Sequence, residues 1–293
     1  KRENTSMQAN LMNDRRPATK VAVFLLFFFL TVTFFSGSHA STNDTQKDQI
    51  TDGAPSSHIL KTPIKDLHGT VENETFCMML AKRMGLTVPD VKIFKINEIP
   101  LYLIDRYDRK IENGQIIRLI QEDFCQALNV NAQLKYSPTL DMCFSLIRNE
   151  SASQVKDTKR FLQLIIFNGL IGNSDAHAKN ISFLHGENGT ILAPFYDLLS
   201  TYVYPYAKKM AMKIGGGRHF QFLEPKHFER FSKDTSIKYK VVKETMVTMA
   251  DRIVGEANKT TEEFFDLYGE SPVLYEINDV IKNSSKEKLK VFS

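Results

Sequence analysis

The sequence predicts an α+β protein built as two lobes, a small mixed lobe over residues 58–110 and a mainly helical lobe over residues 111–293. Three observations predict it. Short runs with strand periodicity lie near residue 60 and across 91–107, and they enclose one helical stretch. From Gln121 onward helical spacing prevails. That helical region is broken once, by a polar loop after Asn173 and a hairpin that returns to Asp197. At 293 residues, with 42% hydrophobic and 25% charged content, the chain has apolar material for one or two packed domains.

The elements follow in order. From Met12 the chain reads "MNDRRPATK", then the uncharged run Val21–Phe35, then "SGSHA", with Ser38 and Ala40 as small residues before a cleavage point. That order is the pattern of a secretory signal peptide. The run is short for a membrane span and long for a strand, so residues 1–40 are expected to be a signal or anchor segment, with a buried strand as the alternative. Residues 41–57 are polar and aperiodic and read as a linker. "SHILKTP" predicts a short strand ending at Pro63 with Lys61 near its end. "ENETFCMMLAKRMGL" predicts a helix with Phe76, Leu80, Met84 and Leu86 on one side, Asn73 as its cap and Gly85 as its stop. "VKIFKI" and "LYLIDRY" predict two antiparallel strands joined by a turn containing Pro100.

In the second lobe "QEDFCQALNV" and "DTKRFLQLIIFNGLIGN" predict amphipathic helices. "ISFLH" and "TILAPF" flank "GENG", whose Asn188-Gly189 signals a hairpin. The tail from Lys226 to Ser293 predicts helix, most clearly in "KYKVVKETMVTMADRIV". The glycine-rich "KIGGGRH", Lys213 to His219, follows Asp197 and predicts a turn in preference to a phosphate cradle.

Charge and cysteine content restrict the function. A formal charge of +4 with pI near 8.8 comes from scattered residues, and no direct nucleic-acid contact is expected. Cys77, Cys125 and Cys143 are odd in number and lack metal or C-x-x-C spacing, which suits buried thiols of a reducing compartment. That predicts a cytoplasmic protein, whereas residues 21–35, if retained, predict membrane contact or export.

The chemistry-bearing stretch is "NGLIGNSDAHAKNISFL". Asp175 and Asn180 flank a bend, and the following hairpin delivers Asp197, so three hard oxygen donors converge in a pattern that suits magnesium. Asp175 to Asn180 is a D-x-x-x-x-N spacing, the one used by the protein-kinase catalytic loop. Taken singly, each of these residues is more often a cap or turn residue. Lys61 on the first strand, with Glu74 as the nearest helix glutamate to steady it, adds the phosphate-holding part of the same order. The combination favours phosphoryl transfer. His177 has no second histidine at metal spacing, so a phosphate-facing or structural role is expected.

The segments "GNSDAHAKNISFL", "LAPFYDLLST", "RLIQEDFCQAL", "MAMKIGG" and "RMGLTVPDVKI" together resemble the HipA-like serine/threonine kinases, the toxin members of bacterial toxin–antitoxin pairs, over roughly Gly53 to Val254. The resemblance implies a protein-kinase-like bilobal fold with a reduced mixed N-lobe and a mainly helical C-lobe, and ATP and Mg2+ as cofactors. It makes Asp175 the catalytic base, Asn180 and Asp197 the magnesium ligands and Lys61 the ATP lysine. His177 and Lys179 would line the phosphates. Asp105, Arg106 and Tyr107 would offer main-chain groups to adenine, although the family usually has glutamate and phenylalanine where Asp105 and Tyr107 stand. Gln121 is a further nucleotide-site candidate, with a helix-start role as its alternative. The implied substrate is a protein serine, with glutamyl-tRNA synthetase in the family's target class, and the implied partner is a DNA-binding antitoxin.

The family places a glycine-rich loop ahead of the ATP lysine. Here that interval reads "SGSHASTNDTQKDQITDGAPSS", which is too short and too polar for it. Losing the loop would misalign the γ-phosphate. The alternative to an active kinase is therefore a truncated, inactive kinase-like chain that serves as a binding module.

Overall fold

The computed structural model describes residues 30–32 and 56–292. Its first layer is an antiparallel sheet of β1 (Leu30–Val32), β2 (His58–Lys61), β3 (Val91–Ile96) and β4 (Ile99–Asp105), in the order β1-β2-β4-β3. Helix α1 (Thr70–Arg83) crosses from β2 to β3. Side chains alternate along β4: Tyr102 and Ile104 join the main core that includes α1, whereas Leu101 and Leu103 close with Leu60 into a separate small cluster. Period-two alternation thus gives this sheet apolar side chains on both faces.

A hairpin of β5 (Arg109–Glu112) and β6 (Gln115–Arg118) follows, then a three-stranded sheet of β7 (Ile120–Asp123), β8 (Ser182–Gly186) and β9 (Gly189–Leu192). The rest is helical: the single-turn α2 (Phe124–Ala127), then α3 (Leu140–Glu150), α4 (Gln154–Ile171), α5 (Pro225–Thr235), α6 (Tyr239–Tyr268) and α7 (Pro272–Phe292). One continuous core runs from Val71 and Phe76 of α1 through Phe144, Phe161 and Phe167 to Phe264 and Ile277 of the last two helices. The small sheet is therefore tied to the helical lobe through α1.

Several expectations are corrected. Asn73 does not cap α1; the helix begins after Gly69, and Asn73 lies fully buried inside it. The β3–β4 turn is Asn97–Glu98, both with positive φ, and Pro100 sits within β4 opposite Lys95. "QEDFCQALNV" is a strand followed by one helical turn, because Ile120–Asp123 pairs with β8. The β5–β6 hairpin went unpredicted, although its Asn113–Gly114 turn, with φ of 51° and 77°, has the dipeptide favoured in two-residue hairpins. In the β8–β9 hairpin the turn residues are Glu187–Asn188, with Gly189 opening β9.

Within the apolar run expected to be a signal or anchor, Leu30–Val32 pairs with β2, Leu30 opposite Leu60. The rest of residues 1–40, and linker residues 41–55, lie outside the described residues. Among the described residues no helix is long and apolar enough to cross a membrane.

Candidate active site

The site is assembled at the end of β2. Lys61, the last residue of that strand, pairs with Tyr102 of β4, which directs its side chain toward α1. Its Nζ donates to Glu74 Oε1 at 2.8 Å and Oε2 at 3.2 Å, and to Asp197 Oδ1 at 3.0 Å. Lys61 and Glu74 are 8% and 4% exposed. Burial works against the ammonium charge, but the two carboxylates outweigh it and hold the Lys61 pKa above its ordinary value. The lysine is thus a fixed cation.

Asp197 uses its other oxygen on the next residue of the cluster, since Asn180 Nδ2 donates to Asp197 Oδ2 at 2.5 Å. Its backbone has φ of 59°, a left-handed conformation that aspartate tolerates better than most residues. Half a turn of the Asn180 amide presents its oxygen in place of its nitrogen. Asn180 and Asp197 would then be two adjacent hard oxygen donors, a set that fits magnesium completed by phosphate and water oxygens. Among the described residues no group of three or more His, Cys, Asp or Glu could hold a metal by itself.

Asp175 is placed by the end of α4. Gly172 caps that helix with φ of 72°, and its carbonyl accepts the Thr201 and Tyr202 N–H groups. A side chain there would place Cβ 2.7 Å from Tyr202 Cγ. Asn173 follows, buried, its Nδ2 donating to Asn168 Oδ1 at 3.0 Å while its Oδ1 accepts the Asp175 N–H at 3.0 Å. This local side-chain bond holds the bend. The Asp175 carboxylate in turn accepts a hydrogen bond from Tyr136 Oη at 2.5 Å. A cleft of about 450 Å³ opens beside it, lined by Tyr136, Ser174, Lys209 and Arg218.

The remaining predicted residues surround this centre unevenly. His177 is buried, packs edge-on to Tyr136 at 5.2 Å and has no hydrogen-bond partner for Nδ1 among the described residues. Burial lowers its pKa, with Asp175 opposing. Lys179 turns to Asp123, 2.7 Å away, the residue that caps α2. Gln121 lies in β7, not at a helix start, and accepts from Tyr107 Oη at 2.6 Å, while Tyr107 stacks on Tyr196 at 5.6 Å. Asp105 pairs with His58 at 2.9 Å, and the Arg106 guanidinium grips Asp108 at 2.7 and 2.9 Å. The Asp105 and Arg106 N–H groups bond the Asp90 and Ser57 carbonyls, so both are engaged within the protein.

The structure thus brings Lys61, Glu74, Asp197 and Asn180 into one bonded cluster and sets Asp175 on the loop that carries Asn180. It turns the Asp105 and Arg106 side chains to other partners. Sequence reasoning missed Asn173, Tyr136 and Asn73. Asn173 carried a signal, an asparagine two residues before the aspartate it caps. Tyr136 carried none, because it meets Asp175 across 39 residues of sequence.

Comparison with known proteins identifies the family and the fold. The family model described as the HipA-like C-terminal domain matches residues 29–260. Y4mE of Sinorhizobium fredii, a protein named as a kinase, is 37% identical over 240 residues, covering 80% of this chain and 57% of its own. The serine/threonine-protein kinase toxin HipA of Shewanella oneidensis is 32% identical over 177 residues, covering 54% of this chain and 40% of its own. The chain therefore spans about half the length of these relatives. Among solved structures, Shewanella oneidensis HipA in complex with HipB and operator DNA superposes with a TM-score of 0.70 at 24% identity, over 81% of this chain and 58% of that one. The Helicobacter pylori proinflammatory kinase CtkA superposes with a TM-score of 0.56 at 13% identity, over 90% and 95%. The fold is kinase-like, and the chain belongs to the HipA-like C-terminal domain family.

Proposed function

We propose that this chain is a serine/threonine protein kinase that transfers the γ-phosphate of ATP to a protein hydroxyl, as the toxin component of a toxin–antitoxin pair. One observation carries the reading: Glu74, Lys61, Asp197 and Asn180, drawn from a helix, a strand and two loops, form an unbroken chain of contacts. A purely structural ion pair needs two members. This cluster has a cation, two carboxylates and an amide, the set that nucleotide phosphates and a divalent ion require.

Lys61 would present its ammonium to the phosphates while Glu74 keeps it in place. Asn180 and Asp197 would hold a magnesium ion, which when bound supplies charge neutralisation at the phosphates. Asp175 would take the proton of the acceptor hydroxyl as the new O–P bond forms and the bond from the γ-phosphorus to the bridging oxygen breaks, with ADP leaving. His177, whose pKa burial lowers, would serve the loop as a packing group. The partner reading rests on Shewanella oneidensis HipA, whose solved complex contains HipB and operator DNA. By that likeness a small DNA-binding protein would be the antitoxin.

The test is transfer of label from γ-labelled ATP to protein serine or threonine by the full chain, beside Asp175→Asn. Transfer that the variant loses supports the reading. A folded chain that binds magnesium–nucleotide and shows no transfer to any protein would favour the binding-module alternative.

A further inference from the structure

Asp175 is fixed on its main-chain side by Asn173, and the structure shows what fixes its carboxylate. The segment before α3 is tied to the loop at two neighbouring points: Ala178 N donates to the Lys135 carbonyl at 3.4 Å, and Tyr136 Oη donates to Asp175 Oδ1 at 2.5 Å. The Tyr136 ring is held in turn, edge-on to His177 at 5.2 Å and beneath Lys135 Nζ at 5.0 Å. Partial burial of a residue that is 50% exposed, followed by the hydrogen bond to Asp175 and then its charge, pushes the Tyr136 hydroxyl pKa up, which keeps it a donor. Such a bond to a carboxylate is short and charge-assisted. It sets the carboxylate plane and engages one of the two oxygens.

We infer that Tyr136 is the positioning residue of the phosphoryl-transfer site, holding Asp175 Oδ1 so that Oδ2 is the oxygen that receives the substrate proton. The inference rests on the kinase reading. It goes beyond that reading by assigning a residue outside the loop, and by distinguishing the two oxygens of the base. Tyr136 also lines two clefts, one beside Asp175 and one running along Lys213 to Arg218.

A tyrosine hydroxyl on a catalytic carboxylate has an opposite interpretation, an obstruction lying where the acceptor hydroxyl must sit. The two make opposite predictions for Tyr136→Phe, which keeps the ring and its packing and removes only the donor. For a positioning residue, transfer by the full-length variant falls on the order of tenfold to a hundredfold, with magnesium–nucleotide affinity unchanged. The loss falls on kcat with KM for ATP unchanged, because the nucleotide contacts stay in place and only the aim of the carboxylate changes.

The groups that face Asp175, namely His177 on its own loop, Lys135 beside Tyr136, and Lys209 and Arg218 across the cleft, are the same in both proteins. Any change therefore reports the lost hydroxyl. A second readout needs no turnover: a crystal structure of Tyr136→Phe should show the Asp175 carboxylate turned out of its wild-type plane while the Ala178 N–H bond to the Lys135 carbonyl persists. If the wild-type chain transfers no phosphate, the kinase reading fails while this comparison of carboxylate orientation still decides the Tyr136 contact. An unchanged Asp175 orientation overturns the inference, as does faster transfer by Tyr136→Phe.

Discussion

Asn73 of α1 grips the main chain of Ser200 with both ends of its carboxamide: Nδ2 donates to the Ser200 carbonyl at 2.8 Å, and Oδ1 accepts the Ser200 N–H at 2.8 Å. The residue beside it, Glu74, holds Lys61, and Lys61 holds Asp197, three positions before Ser200. Helix α1 thus reaches the Asp197 segment twice, once by a neutral two-point bond and once through a charge. The neutral bond sets the register in which the charged one forms.

Asn73→Ala should therefore damage both stability and the site. Asn73 is 0% exposed, and its loss strands two main-chain groups, a cost of about 2–4 kcal/mol. For a protein of this size, Tm should drop by roughly 5–10 °C. Magnesium–nucleotide affinity should drop with it, because Glu74 and Asp197 lose their common frame. A thermal melt unchanged by the substitution would contradict this role.

Lys61→Met leaves Glu74 and Asp197 as two enclosed carboxylates without their shared cation. Breaking a buried pair in this way costs about 3–5 kcal/mol. The sign with pH follows from Glu74, whose pKa is already raised by burial, against Lys61 and with Asp197. A carboxyl with a raised folded-state pKa binds its proton more readily folded than unfolded, so stability falls as pH rises through that pKa. Lys61→Met should accordingly regain stability relative to wild type when the pH is lowered from 7 toward 5, as denaturant midpoints can show.

Lys288 gives a prediction remote from the site. Fully buried on α7, it donates to the Leu223 and Gln221 carbonyls at 2.8 and 3.2 Å and lies over the Phe220 ring. Burial, opposed by Glu287, lowers its pKa to about 8 from an ordinary 10.5. The unfolded chain then holds a proton that the folded chain has released, so stability at this position rises with pH across that interval and is flat below it. Wild type should gain about 3–6 °C in Tm over Lys288→Met between pH 8 and 10.5. A constant difference would contradict the lowered pKa.

Gly169 tests the packing behind the loop. A Cβ there would lie 2.1 Å from Phe220 Cε2, on a ring that is itself fully buried. Gly169→Ala should destabilise by about 1–3 kcal/mol through overpacking, seen as a lower denaturant midpoint with the slope unchanged.

These residues also show what the sequence disclosed. The meeting of Asn180 with Asp197 was readable because a loop and a hairpin are local objects, and the spacing within them encodes their geometry. Lys61 was readable from strand periodicity and order along the chain. Asn73 was misread as a cap because its partners, Ser200 and Tyr204, lie 127 and 131 residues away, and an asparagine before an apolar run has the same local pattern in either role. Tyr136 was missed for the same reason of distance. His58 and Asp108 hold the Asp105 and Arg106 side chains, which is a property of strand pairing and local turns that a motif does not carry.

The central claim is that Lys61, Asn180 and Asp197 form a working nucleotide site. Its most direct test is calorimetric titration of the full chain with the magnesium complex of a non-hydrolysable ATP analogue, beside Asp197→Asn. The account predicts saturable binding by wild type that requires magnesium and is lost in Asp197→Asn while the variant remains folded. No binding by a folded wild-type chain, or equal binding by the variant, would contradict it.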